Sequence, residues 1–282
     1  MTSHPFKNIA IGVAFSPNLK ANLHEAARLS LLFNAKLSLI HVGEESEEKR
    51  NRVEKCLLTF KNQSLDYSID FKSGTPVDVI LNHIDNKNID LIILGALQQE
   101  NILTYYLGSI ARKITRAAAC SILLLIKPSV ERQVCQHIVV NGLKDDHTPE
   151  TVQMAFFVAN ALQTQRLTIV EEIKESELSI KVDDDASLRK ANLQREKIRR
   201  QEDARVDRIL DQIPENYKSD ISIEKQPIFG TRGYSIGHFA QISRADLLVM
   251  NAPGKMNFWD RLFPHDIEYI LTELPTDVLI IR

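Results

Sequence analysis

Residues Asp90–Lys127 read DLIILGALQQENILTYYLGSIARKITRAAACSILLLIK. Leu91 to Leu94 is an apolar run of strand length, and Gly95 closes it. A polar loop holding Tyr105 and Tyr106 follows. From Gly108-Ser109 the pattern turns helical: Ile110, Ile114, Ala117 and Ala118 fall on one side, Arg112, Lys113 and Arg116 on the other. Ser121 to Ile126 is a second, wholly apolar strand. Short strands apolar on both faces, with a helix between them, specify a parallel sheet covered by helices.

The same pattern occurs again 156 positions later, at Asp246–Arg282: DLLVMNAPGKMNFWDRLFPHDIEYILTELPTDVLIIR. Asp90-Leu91-Ile92-Ile93-Leu94 falls on Asp246-Leu247-Leu248-Val249-Met250, and Ser121 to Leu125 falls on Asp277 to Ile281, without a gap. A repeat of this length is a duplicated domain rather than a solenoid unit. The 282 residues suit two domains, and 44% hydrophobic content suits packed cores.

Upstream, Asn8 to Ala14 reads as the first strand and Phe15-Ser16-Pro17-Asn18 as a turn and helix start. Leu23, Ala26, Ala27, Leu31 and Leu32 predict an apolar helix ending at Asn34 in a left-handed cap. Lys36 to Val42 is the second strand. A charged helix over Glu44–Asn62 and a third strand, Asp66 to Phe71, follow. Thr75-Pro76 then starts a helix, with Thr75 as N-cap and Pro76 at its first position. Right-handed crossovers make this a doubly wound sheet, whose ligand crevice lies where the strand order reverses. After the linker Lys127-Pro128-Ser129, Gln136 to Asn141, a helix from Thr148 and Arg166 to Val170 repeat the opening of the first copy. The domain boundaries predicted are thus 1–129 and 130–282. Strand one is offset by about 129 and strand four by 156, so about 27 extra residues lie within Glu171–Ile213. They predict a long helix capped by Asp185 or Ser187, either a solvated, salt-bridged surface helix or a partner-binding arm.

The loop and the duplication resemble the universal stress protein family in its tandem two-domain form. That family's nucleotide loop reads G-x2-G-x9-G-[ST] after the fourth strand. Gly95, Gly108 and Ser109 match it, and Gln98 stands at the middle glycine. The second copy keeps only that middle glycine, as Gly254, with Asn251 at the first and Pro264-His265 for the Gly-Ser pair. The resemblance implies two Rossmann-like α/β domains of the adenine nucleotide alpha hydrolase-like type. Each is expected as a five-stranded parallel sheet of order 3-2-1-4-5. It further implies ATP in the first domain, with Mg only alongside ATP. Carried over residue by residue, the nucleotide-binding candidates are Gly12, Ala14, Val42, Leu94, Gly95, Gln98, Gly108, Ser109 and Ile110. Ala14 departs from the aspartate that the family's ATP binders carry after strand one. Pro264 removes a backbone donor, and Asp266 and Glu268 repel phosphate, so the second domain is expected not to bind. The resemblance also pairs apolar fifth strands between subunits. Here Ile122–Ile126 and Val278–Ile281 are expected to pair within one chain, as an internal pseudo-dimer, with a homodimer as the alternative.

A net charge of -2 and a pI near 6.5 give no general attraction to nucleic acid or anionic membrane. No apolar run is long enough to span a bilayer. The N-terminus lacks a signal peptide's pattern. Three cysteines without C-x-x-C spacing suggest free thiols in a reducing compartment, so the expected location is cytoplasmic. The eight histidines are scattered, with no H-E-x-x-H and no Walker A loop. The expectation is a non-catalytic stress-response or regulatory protein. A nucleotide-independent scaffold is the alternative, including a regulatory partner of a transporter, since Trp259–Ile281 resembles stress-protein modules fused to some transporters. Slow ATP hydrolysis is the only turnover entertained.

Overall fold

The computed structural model describes residues 5–98, 105–178, 181, 183–252 and 266–282. They form an α/β fold on mixed, mostly parallel sheet, divided between two compact units. One unit comprises Met1–Val134 with Leu271–Arg282, the other Cys135–Ile270.

In the first unit the order is β1 (Asn8–Gly12), α1 (Leu19–Phe33), β2 (Lys36–Val42), α2 (Glu47–Leu57), β3 (Tyr67–Lys72), α3 (Pro76–Asn86) and β4 (Leu91–Gly95). Two short strands, β5 (Leu97–Gln98) and β6 (Tyr105–Tyr106), precede α4 (Ser109–Ala117) and β7 (Ser121–Leu125). The sheet runs β3-β2-β1-β4-β7, all parallel, which is the order 3-2-1-4-5. Its middle is dry: Ile9, Leu39, Ile92, Ile93, Ile122 and Leu124 are fully buried. Asn34 caps α1 at φ 51°, ψ 47°, the left-handed cap its residue type favours. Thr75 stands at the N-cap of α3, but its hydroxyl does not cap the backbone; it bonds the Asp78 carboxylate instead. The acid in the first turn thus takes the hydroxyl that would have served a backbone N–H.

Asp90 explains why the repeat begins where it does. Its Oδ2 accepts the backbone N–H groups of Lys7 and Asn8, both at 2.8 Å, which pins the start of β1 beside β4. Asp246 does the same for Gln136 and His137, at 2.8 and 2.9 Å.

The second unit contains β8 (His137–Asn141), α5 (Thr148–Leu162), β9 (Arg166–Lys174), α6 (Asp185–Leu210), β10 (Ser222–Gly230), α7 (Tyr234–Ile242) and β11 (Leu247–Asn251). Its strands run β10-β9-β8-β11, all parallel. The extra residues are no appendage; they lengthen the strand–helix–strand crossover itself. β9 and β10 have nine residues each, and α6 has 26 against 11 in α2. Neither Asp185 nor Ser187 is the N-cap of α6. Asp184 is: its Oδ1 accepts from Ser187 N–H at 2.7 Å while the Ser187 hydroxyl accepts from Asp184 N–H at 2.9 Å, a capping box. Along α6 only Ala191, Val206 and Ile209 are buried, so it is chiefly a solvated helix.

The chain closes with α8 (Asp266–Thr272) and β12 (Asp277–Ile281). β12 lies antiparallel to β7, with Val278, Leu279 and Ile280 opposite Leu124, Leu123 and Ile122. Pairing of these two apolar strands within one chain is the expectation drawn from sequence. The antiparallel β12 makes the first unit's sheet six-stranded and mixed, where five parallel strands are predicted.

Candidate functional site

The parallel sheet of the first unit gathers the ends of β1, β2 and β4 along one edge, with β1 between the other two. Gly12 ends β1, and a side chain there would contact Leu94 Cδ2 at 3.9 Å. Ala14 is exposed just beyond. Val42 ends β2, half-buried; Leu94 is buried in β4 and Gly95 ends it, exposed. Gln98 lies in β5 opposite Tyr105 of β6, and its side chain lies outside the described residues. Gly108 is the N-cap of α4, with no side-chain cap of its own, and Ser109 and Ile110 are exposed in the first turn. No acidic residue occupies that turn. Its end presents backbone donors, a hydroxyl and the positive end of the helix dipole. In the second copy, Gly254, Pro264 and His265 lie outside the described residues.

Two features of this crevice went unread in the sequence. Asn22, on α1, leans over Gly95: its Nδ2 would stand 3.5 Å from a Cβ there, and its buried Oδ1 accepts no hydrogen bond. A buried amide oxygen left without a donor costs about 1–3 kcal/mol, so it invites an N–H or O–H from a ligand or water. Beside it, His41 donates its Nδ1–H to Val13 O at 2.9 Å and packs edge-on against Phe15 and Phe71, at 4.8 and 5.6 Å. Arg52 and Arg50 cover Phe15 and Phe71 at 5.6 and 5.5 Å. His41 is thus a wall of the crevice rather than a remote core residue. What signal there was lay in spacing: Phe15, His41 and Phe71 each sit at or just past a strand's carboxyl end.

Equivalent positions in the second unit carry different chemistry. Val13 N–H bonds Ile40 O, and Gly142 N–H bonds Val170 O, both at 2.8 Å. Gly142 therefore stands for Val13, and Glu171 stands for His41. Gly142 has no room for a side chain, since a Cβ would meet Ile169 Cγ2 at 2.7 Å and Val170 O at 3.1 Å. Glu172, also buried, accepts from the N–H groups of Gly233 and Ile236 at 3.1 and 2.8 Å. It thereby fills the N-terminus of α7 with a carboxylate.

A further motif escapes a reading by composition. Gly233-Tyr234-Ser235-Ile236-Gly237 spells G-x-S-x-G between a strand and a helix, the context of a hydrolase nucleophile. The structure denies it that role. Ser235 lies inside the first turn of α7, its N–H bonded to Thr231 O at 2.9 Å, and a Cβ on Gly230 would touch its Oγ at 2.4 Å. The positive φ of 78° falls on Gly233, not on the serine. His238 stacks on Tyr234 instead of meeting the hydroxyl. Among the described residues no group of three His, Cys, Asp or Glu side chains could hold a metal.

Residues 47–125 match the family model described as "Universal stress protein family". Universal stress protein YxiE of Bacillus subtilis is 24% identical over 146 residues, covering 43% of this chain and 99% of its own. Among solved structures, a functionally unknown protein from Pseudomonas aeruginosa aligns at TM-score 0.69 and 16% identity, covering 98% of this chain and 92% of its own. A universal stress protein from Archaeoglobus fulgidus aligns at TM-score 0.66 and 14% identity, covering 99% of each chain. A universal stress protein solved in complex with cAMP aligns at TM-score 0.36 with 43% of this chain, at 18% identity, too partial a likeness to argue a ligand here. The full-length alignments establish the two-domain fold. Within that fold, residues 47–125 of the first unit are similar to the universal stress protein family.

Proposed function

We propose that this is a non-catalytic regulatory protein of the stress response whose first unit binds an adenine nucleotide. The observation that supports it most is the donor-rich, acid-free start of α4 at Gly108-Ser109, set after the exposed glycine that ends β4. Phosphate oxygens would take the N–H groups and hydroxyl of Ser109 and Ile110, with Gly95 allowing close backbone approach. Gly12, Val42 and Leu94 would frame the nucleoside, and the orphaned Asn22 Oδ1 would accept a ribose or amino hydrogen. Mg would enter with ATP and not otherwise. Freshly purified protein, denatured and analysed by mass spectrometry, should release ATP or AMP near one equivalent. Gly108→Val, which puts branched bulk at the cap, should release none, and Ser109→Ala less. Absence of nucleotide, together with no calorimetric binding of added Mg-ATP, would refute the reading.

Ala14 favours a second reading, a scaffold that works without nucleotide. It leaves the end of β1 without a carboxylate to clamp a ribose, and the Phe15–His41–Phe71 cluster already packs across neighbouring strand ends. Under either reading the partner is another macromolecule, a transporter among the candidates. Three cysteines without paired spacing support a reducing compartment, the cytoplasm; among the described residues no helix is long and apolar enough to cross a membrane. The β7–β12 pairing supports an internal pseudo-dimer in place of an obligate homodimer; a sedimentation mass of one chain is the expected result.

A further inference from the structure

Residues 189–200 of α6 hold six basic side chains and one acid, a net charge of +5 in a chain whose total is -2. All seven are exposed, so none serves to neutralise a buried group. Glu196 is taken by Arg200, at 3.1 Å, and Arg195 lies over the Phe229 ring at 5.8 Å. Among the described residues Arg189, Lys190, Lys197 and Arg199 pair with no carboxylate. Side chains three and four positions apart are neighbours on a helix. Leu193 therefore stands among Arg189, Lys190 and Lys197, and it is 71% exposed. One exposed leucine is ordinary by itself; this one sits in the middle of the charge. The buried residues of α6, Ala191, Val206 and Ile209, leave this face to solvent.

Length and ends select what could dock there. Twelve helical residues span about 18 Å. The positive charge stops at both ends. Asp183-Asp184-Asp185 precede it, and Glu202 and Asp203 follow, answered by Arg205 at 2.8 Å and Lys225 at 4.0 Å. A nucleic acid duplex carries a charge about every 1.7 Å and would run on over the three aspartates. A bilayer surface is equally unbounded, and a lone leucine gives it little apolar area to take up. A short acidic stretch of protein matches the length, the charge and the leucine together. We propose that the outer face of α6 docks an acidic segment of a partner protein, with Arg189, Lys190 and Lys197 meeting its carboxylates and Leu193 an apolar residue between them. The extra residues that lengthen α6 to 26 supply this face. It lies in the second unit and is independent of whether the first unit binds nucleotide. Charge of this density speeds encounter with an acidic partner and makes the binding salt-dependent.

The probe is a fluorescently labelled peptide, Glu-Glu-Leu-Glu repeated three times, added to the full chain in about 150 mM salt and read by anisotropy. It should bind saturably, and a version with glutamine for every glutamate should not bind. The triple variant Arg189→Glu, Lys190→Glu, Lys197→Glu should weaken binding about tenfold or more, because each reversal removes an attraction and adds a repulsion. Leu193→Ser should weaken it about threefold to tenfold and leave its salt dependence unchanged. All four positions are exposed, so both variants should keep the circular dichroism and the thermal midpoint of the unmodified chain. A DNA duplex about twice the length of the face, and vesicles of equal parts phosphatidylserine and phosphatidylcholine, are the rival probes. Both should bind more weakly than the peptide. The proposal is overturned if the acidic peptide does not bind, if binding survives the triple variant or ignores Leu193→Ser, or if duplex or vesicles bind as tightly as the peptide through the same residues.

Discussion

Replacing Glu171 by Gln should change how stability depends on pH, and the size can be worked out. In the unfolded chain the carboxyl titrates at its ordinary 4.5, whereas burial and the nearby acids raise it to about 7 in the fold. Between those values the native state binds more protons than the unfolded state. Stability contributed by the neutral carboxyl is therefore fully present below pH 4.5 and is lost as pH rises through about 7. A shift of that size corresponds to about 3 kcal/mol across the window, at 1.36 kcal/mol per unit. Arg205 and Lys225 moderate the rise but do not cancel it, since each is bonded to a different acid. The assay is urea unfolding followed by circular dichroism from pH 5 to pH 8. The unmodified chain should lose about 3 kcal/mol in the second unit over that range, and Glu171→Gln should lose far less, the amide being neutral throughout. Parallel curves for the two proteins would mean that Glu171 stays ionised in the fold, and the reasoning about its burial would fail.

Two further outcomes follow from packing. Gly142→Ala should destabilise the second unit by about 1–3 kcal/mol, because the new methyl meets Ile169 Cγ2 at 2.7 Å and Val170 O at 3.1 Å, and a carbonyl in the β8–β9 ladder cannot move away; thermal unfolding measures it. Ile280→Ala should cost about 2–5 kcal/mol, since Ile280 is fully buried opposite the fully buried Ile122. If β12 is held by β7, hydrogen exchange at Leu123 and Leu124 should accelerate in that variant.

Much of the fold was legible because it was written twice. Asp90 and Asp246 recur at one spacing since each pins the start of a first strand, and the apolar runs after them must be buried on both faces. Asn34 was legible for a local reason, its tolerance of the left-handed cap. Reading failed where a residue's partner lies far along the chain. β9 looks finished at Val170 because two glutamates follow, yet the strand runs on to Lys174 with both acids buried. Glu172 is stabilised there by backbone N–H groups 61 and 64 residues away, at the start of α7. The antiparallel set of β12 on β7 was equally unreadable, since an apolar strand carries no mark of direction.

The candidate site divides in the same way. Gly95 as a strand end and Gly108-Ser109 as a helix start could be read from residue type and pattern alone. The rest of the crevice is written in residues whose chemistry depends on what faces them. Asn22 is an ordinary polar residue of an amphipathic helix until the fold sets its amide where a side chain on residue 95 would point, 3.5 Å from the Cβ that Gly95 lacks. Glu171 is an ordinary surface acid until α6 covers it and leaves its oxygens without donors. Duplication placed the two crevices at equivalent strand ends, with His41 at one and Glu171 at the other. The crevice itself comes from strand order, so the second copy keeps one whatever its loop spells.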